Sequence, residues 1–184
     1  MAKRRPDKGK KLQQLLCDFV VIDIETTGLK PEVDEIIEIG AIKVANLQIV
    51  DTFQTLIKPT TAIPYFITNF TGITNKMVAN SPSAPEVLLL FQEFVDTSVI
   101  VGHNVNFDIN FIYEAMMREF LAPFTNDFID TLTIARQRID AVENHKLSTL
   151  AKYFNVDTTN NHRALKDCEL TLALYQQLYQ RQRG

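Results

Sequence analysis

The chain has 184 residues, 46% of them hydrophobic, which suits one ordinary globular domain with a full core. No apolar run approaches the roughly 18–20 residues that span a bilayer, and no signal peptide precedes the first strand, so a soluble, cytoplasmic protein without a membrane partner is expected. The net charge of −3 is unevenly laid down: residues 1–11 carry +5, leaving −8 on the rest. An acidic body argues against a nucleic-acid partner, since phosphate neutralisation drives such binding, unless clustered carboxylates hold divalent cations that attract phosphate themselves. Cys17 and Cys168 show no metal-ligand spacing, and Cys168 reads as a small core residue.

In chain order, residues 1–16 read as a basic, flexible tail, a solvated terminus in preference to an arm adding non-specific affinity. Phe19-Val20-Val21-Ile22 then reads as a buried strand ending in Asp23-Ile24-Glu25-Thr26-Thr27-Gly28. Side chains two apart on a strand share a face, so Asp23 and Glu25 aim together while Ile24 returns to the core. Two neighbouring carboxylates at neutral pH require a cation between them or a proton on one. Hard oxygen donors of this type suit Mg²⁺ or Mn²⁺, although D-x-E is also the pattern of a solvated strand end. Thr26, Thr27 and Gly28 add small hydroxyls and a glycine that permits tight turning and close approach of a ligand.

Residues 35–44 and 49–57 read as two further strands in an antiparallel meander, with Glu38 and Lys43 among apolar Ile37, Ile39, Ala41 and Ile42. Pro59 and Pro64 punctuate an irregular segment reaching Thr74. A helix begins near Pro85, with Val87, Leu88, Phe91, Phe94 and Val95 at helical spacing. Residues 99–101 form a short strand, and His103-Asn104-Val105-Asn106-Phe107-Asp108 opens a helix running to 120. Asn104 is its expected N-cap, which puts Asp108 in the first turn. An acid there is equally consistent with stabilisation by the helix dipole alone; Phe107 also fits a core position, and His103 a structural one. A strand at 128–130 and helices at 131–139 and 147–154 follow.

Residues 157–161 read as a loop leading to His162-Arg163-Ala164-Leu165-Lys166-Asp167. Five helical residues turn through about 140° beyond a full turn. His162 therefore lies at the loop's end and Asp167 on the final helix, whose Leu165, Cys168, Leu172, Tyr175 and Tyr179 form an apolar stripe. A lone histidine at a helix start is commonly structural or merely exposed. Together these elements predict an α/β fold, a mixed central sheet flanked by helices, in one domain.

Asp23-x-Glu25, His103-Asn104-x-x-Phe107-Asp108 and His162-x4-Asp167, in this order, resemble the three motifs of the DEDDh 3′→5′ exonuclease family, which includes the proofreading epsilon subunit of bacterial DNA polymerase III. The resemblance covers about residues 18–180, within an exonuclease domain taken as 17–184. Ile63-Pro64, Thr71-Gly72-Ile73-Thr74 and Asp130-Thr131-Leu132 resemble further segments of epsilon-like proteins. It implies a ribonuclease H-like fold and removal of nucleotides from a 3′ end, with single-stranded DNA favoured over RNA, in proofreading or repair and with a DNA polymerase subunit as a possible partner. Asp23, Glu25, Asp108 and Asp167 would hold two Mg²⁺ or Mn²⁺ ions, with His162 as general base. Thr26, Thr27, Gly28, His103, Asn104 and Phe107 would contact the terminal nucleotide.

This chemistry is coherent in itself: two cations roughly 3.5–4 Å apart can serve both the attacking and the leaving oxygen. An imidazole of pKa about 6.5 can accept the water's proton. The rival readings are an exoribonuclease of the oligoribonuclease or RNase T type and a non-catalytic polymerase-partner module.

Overall fold

A computed structural model describes residues 4–156 and 163–183. Its sheet has six strands: β1 (Lys11–Leu12), β2 (Phe19–Thr26), β3 (Ile36–Ala45), β4 (Gln48–Leu56), β5 (Ile100–Gly102) and β6 (Phe128–Asp130). Their order is β1-β6-β5-β2-β3-β4. β2, β3 and β4 form the expected antiparallel meander, and the pairs β1–β6, β6–β5 and β5–β2 are parallel.

Alternation along β2 divides the core in two. Val20, Ile22 and Ile24 face α3 (Ala84–Val95) and α4 (Asn106–Phe120). Phe19 and Val21 face α5 (Thr131–Arg138), α6 (Leu147–Tyr153) and α7 (Ala164–Arg183). Because helices cover both faces, the central strands are apolar on both sides instead of alternating. Cys168, Leu172 and Tyr175 of the α7 stripe are buried. Among the described residues, no helix is long and apolar enough to cross a membrane.

Three expectations need correction. The segment after Pro59 holds two short helices, α1 (Tyr65–Thr71) and α2 (Asn75–Val78). Pro64, with φ −61°, stands at the entry to α1, Gly72 closes it in the left-handed region at φ 74°, and the Thr74 hydroxyl caps α2 by accepting from Met77 N–H. The cap of α4 is Val105, and Asn104 precedes it with φ 62°. Asn104 N–H donates instead to Asp130 Oδ1 at 2.9 Å.

The third correction concerns the basic terminus, which is tied to the body from Arg5 onward. Arg5 pairs with Glu32 and Glu114 at 2.8 and 2.9 Å, and Lys8 donates to Asn106 and Asn110 of α4. β1 covers the exposed edge of β6. Tyr175 O–H donates to Leu16 O at 2.9 Å, and its oxygen accepts from Leu16 N–H at 2.6 Å. These charges have specific partners on α4 and in the β2–β3 connection, which composition alone does not reveal.

Candidate active site

Asp23 and Glu25 follow Phe19 and Val21 on the β2 face turned toward α7. β2 outruns β5, whose pairing with it is at Val20↔Ile100 and Val21↔Val101. Beyond that point Ile24 N–H donates to Asp108 Oδ1 at 3.1 Å, tying the first turn of α4 to the strand end. On the other side α7 crosses β3 in close contact at Gly40, the register partner of Asp23. A Cβ on Gly40 would lie 2.5 Å from the Ala164 carbonyl carbon and the Leu165 nitrogen. That crossing brings Asp167 beside the strand end: one carboxylate oxygen each from Asp23, Glu25 and Asp167 lie within 4.8 Å of one another. Asp108 joins them on the wall of a cavity of about 230 Å³.

Crowding and burial favour the protonated acids. Burial, then the charges of Asp108, Asp167 and Glu25, hold Asp23 well above the usual carboxylate range. Glu25 is pushed up to about 8, first by burial and then by Asp167 and Glu38, while Arg163 pulls the other way. Burial likewise raises Asp108 to about 8, partly offset by the N–H groups it accepts from. Such a group of hard oxygen donors relieves its repulsion by taking protons or a cation, and it suits a divalent ion.

The remaining expected residues divide. Thr26, Gly28, His103, Asn104 and Phe107 line the same cavity. Thr27 is turned to the β2–β3 connection: its N–H donates to Glu35 O at 2.8 Å, and its hydroxyl accepts from Glu35 N–H at 2.9 Å. It pins the turn and is not part of the cavity wall. A Cβ at Gly28 would lie 2.4 Å from Asp34 Oδ2, so a side chain there would displace the Asp34 carboxylate. Both His103 ring nitrogens are occupied, Nε2 with His145 O at 2.9 Å and Nδ1 with Thr131 Oγ1 at 3.0 Å. Burial lowers its pKa, which favours the neutral ring, and its two partners brace it in place. Phe107 packs half-buried on Phe111. His162 lies outside the described residues.

Residues 20–175 match the family model for RNase T, described as an exonuclease. The chain belongs to the RNase T exonuclease family. It is similar to the PolC-type DNA polymerase III of Caldanaerobacter subterraneus subsp. tengcongensis, with 43% identity over 167 residues. That match takes in 91% of this chain and 12% of the polymerase, so the chain spans about an eighth of that relative's length. Exonuclease X, solved with 5′-overhanging duplex DNA, superposes with a TM-score of 0.72 at 26% identity, covering 90% of this chain and 93% of its own. E. coli Exonuclease I, solved with a dT13 oligonucleotide, shares the fold with a TM-score of 0.82 at 21% identity, over 91% of this chain and 42% of its own.

Within this RNase T-family domain, three features escaped sequence reasoning. Glu38 on β3, paired in register with Glu25, is wholly buried. It accepts from Arg163 Nη2 at 2.7 Å, from Arg163 Nε at 3.1 and 3.2 Å, from Ala164 N–H at 3.2 Å and from Gln54 at 2.9 Å. This pair anchors the start of α7, and its signal was an acid inside the run Ile36–Ala45. Leu29 and Phe70 line the cavity although 78% and 62% exposed. In sequence they cannot be told from core residues.

Proposed function

We propose that this exonuclease domain hydrolyses nucleotides from the 3′ end of single-stranded DNA, in proofreading or repair within the cytoplasm, alone or beside a DNA polymerase subunit. The observation carrying the reading is the convergence of Asp23, Glu25, Asp108 and Asp167 at one cavity where β2 ends. The similarity to polymerase III chains favours DNA over RNA.

Asp23, Glu25, Asp108 and Asp167 would hold two Mg²⁺ or Mn²⁺ ions, which supply activation of water and neutralisation of phosphate charge. The four side chains arrive on three separate elements, so they are fixed before substrate enters, and none need be drawn in from solvent. Thr26 and Gly28 carry the terminal nucleotide's contacts from the β2 turn, with exposed Asn104 across the cavity. Leu29 and Phe107 offer apolar surface to its base. His162 takes the proton of the attacking water at neutral pH, a role assigned from its place in the third motif.

A denaturing gel of matched 5′-labelled DNA and RNA oligonucleotides, with Mg²⁺, Mn²⁺ or EDTA, tests this beside Asp23→Ala. The expected result is a metal-dependent ladder shortening from the 3′ end, faster on DNA and lost in the variant. A folded chain that cleaves neither strand with either metal overturns the proposal. Faster cleavage of RNA moves it to the exoribonuclease class.

A further inference from the structure

The catalytic cavity is lined by four acids and by no lysine or arginine among the described residues. A polynucleotide bound there still has to carry its remaining phosphates away across one rim. A second cavity, of about 530 Å³, shares His103 and Asn104 with the first and is walled by Arg136, His145 and Lys146. We propose that this cleft is the subsite for backbone phosphates of the strand upstream of the scissile bond, held by Arg136 and Lys146. The inference rests on the exonuclease reading above and deepens it by naming the path of the strand.

Both cations are exposed. Their backbones are nonetheless fixed. Arg136 projects from α5, whose first turn is capped by Asp130 through Leu132 N–H at 3.1 Å. Lys146 follows a loop tied directly to the catalytic cavity, since His145 O accepts from His103 Nε2 at 2.9 Å. Asn144 Oδ1 holds the same loop by accepting from Lys146 N–H and from the Thr149 hydroxyl at 3.0 and 2.8 Å. Two cations on rigid supports beside an acidic cavity suit an anionic chain whose end lies among the acids. They face solvent and would contact phosphate by charge, without reading sequence.

The test compares wild type with Arg136→Ala/Lys146→Ala on two substrates. One is a single-stranded DNA 15-mer; the other is the p-nitrophenyl ester of thymidine 5′-phosphate, which has no upstream phosphate. Two lost phosphate contacts should lower the salt exponent of KM for the 15-mer by about 1.4, so the variant's deficit shrinks about sevenfold between 50 and 200 mM KCl. The deficit should be confined to KM and to the 15-mer, and Arg136→Lys/Lys146→Arg should restore it. An unchanged salt exponent, or equal loss on both substrates, overturns the subsite alone. A wild-type chain that cleaves neither substrate overturns the exonuclease reading, and the subsite with it.

Discussion

Arg163→Ala isolates the anchor of α7. It removes the three guanidinium contacts to Glu38, at 2.7, 3.1 and 3.2 Å, and leaves a wholly buried carboxylate with Ala164 N–H and Gln54 for company. Breaking a buried ion pair from one side costs about 3–5 kcal/mol. The Arg163 side chain is 39% exposed, so water enters where the guanidinium was, and the lower end, about 3 kcal/mol, is expected. In a domain of this size that lowers Tm by about 6–12 °C. Urea unfolding followed by circular dichroism in EDTA gives the value directly. Glu38→Met/Arg163→Met should recover most of the loss, because replacing both partners by apolar groups leaves no stranded charge. An Arg163→Ala midpoint within about 0.5 kcal/mol of wild type, or a double variant as damaged as the sum of the singles, would refute the anchor.

The acid cluster makes stability depend on pH in a definite direction. Glu25 and Asp108 bind protons up to about 8 in the folded chain, whereas in the unfolded chain they release them near 4. The folded state thus holds the extra protons between those limits. In EDTA its stability should fall as pH rises through that window, by about 1.4 kcal/mol per pH unit for each extra proton held, and level off above 8. Mg²⁺ or Mn²⁺ should raise Tm most at the alkaline end; thermal melts from pH 5 to 9 that show no slope in EDTA contradict this. Gly40→Ala should cost about 1–3 kcal/mol by overpacking and weaken Mn²⁺ binding, read by melting and by calorimetry, because the added methyl pushes on Ala164 and Leu165. His162→Ala should cut turnover by about 10²–10⁴-fold while sparing metal affinity, and parallel loss of both would remove it as the base.

Legibility followed the range of the forces involved. Asp23 and Glu25 were readable because strand alternation alone puts them on one face, and Ile24 does return to the core as that rule requires. The meander and the α7 stripe were readable for the same reason, period 2 and period 3.6 being local properties. Asn104 misled as a cap because its N–H is bound by Asp130, 26 residues away. The tie of Thr27 to Glu35, through its N–H and its hydroxyl oxygen, was not readable because the partner lies eight residues on, across the turn. The basic terminus misled because its cations find Glu32, Glu114, Asn106 and Asn110 only once the β2–β3 connection and α4 are in place.

Glu38 shows why a polar residue in an apolar run carries more information than its neighbours. It shares the α7 face with Glu25 and adds to the repulsion that raises Glu25, while Arg163 opposes it. The same guanidinium therefore fixes the position of α7, which brings Asp167 to the strand end, and moderates the charge that gathers there. Gly40 lies two residues further along β3 and lets the helix approach closely enough for this to happen. Loss of either feature should appear first as altered cation affinity, since Asp167 is the one acid of the four whose placement depends on how α7 crosses the sheet.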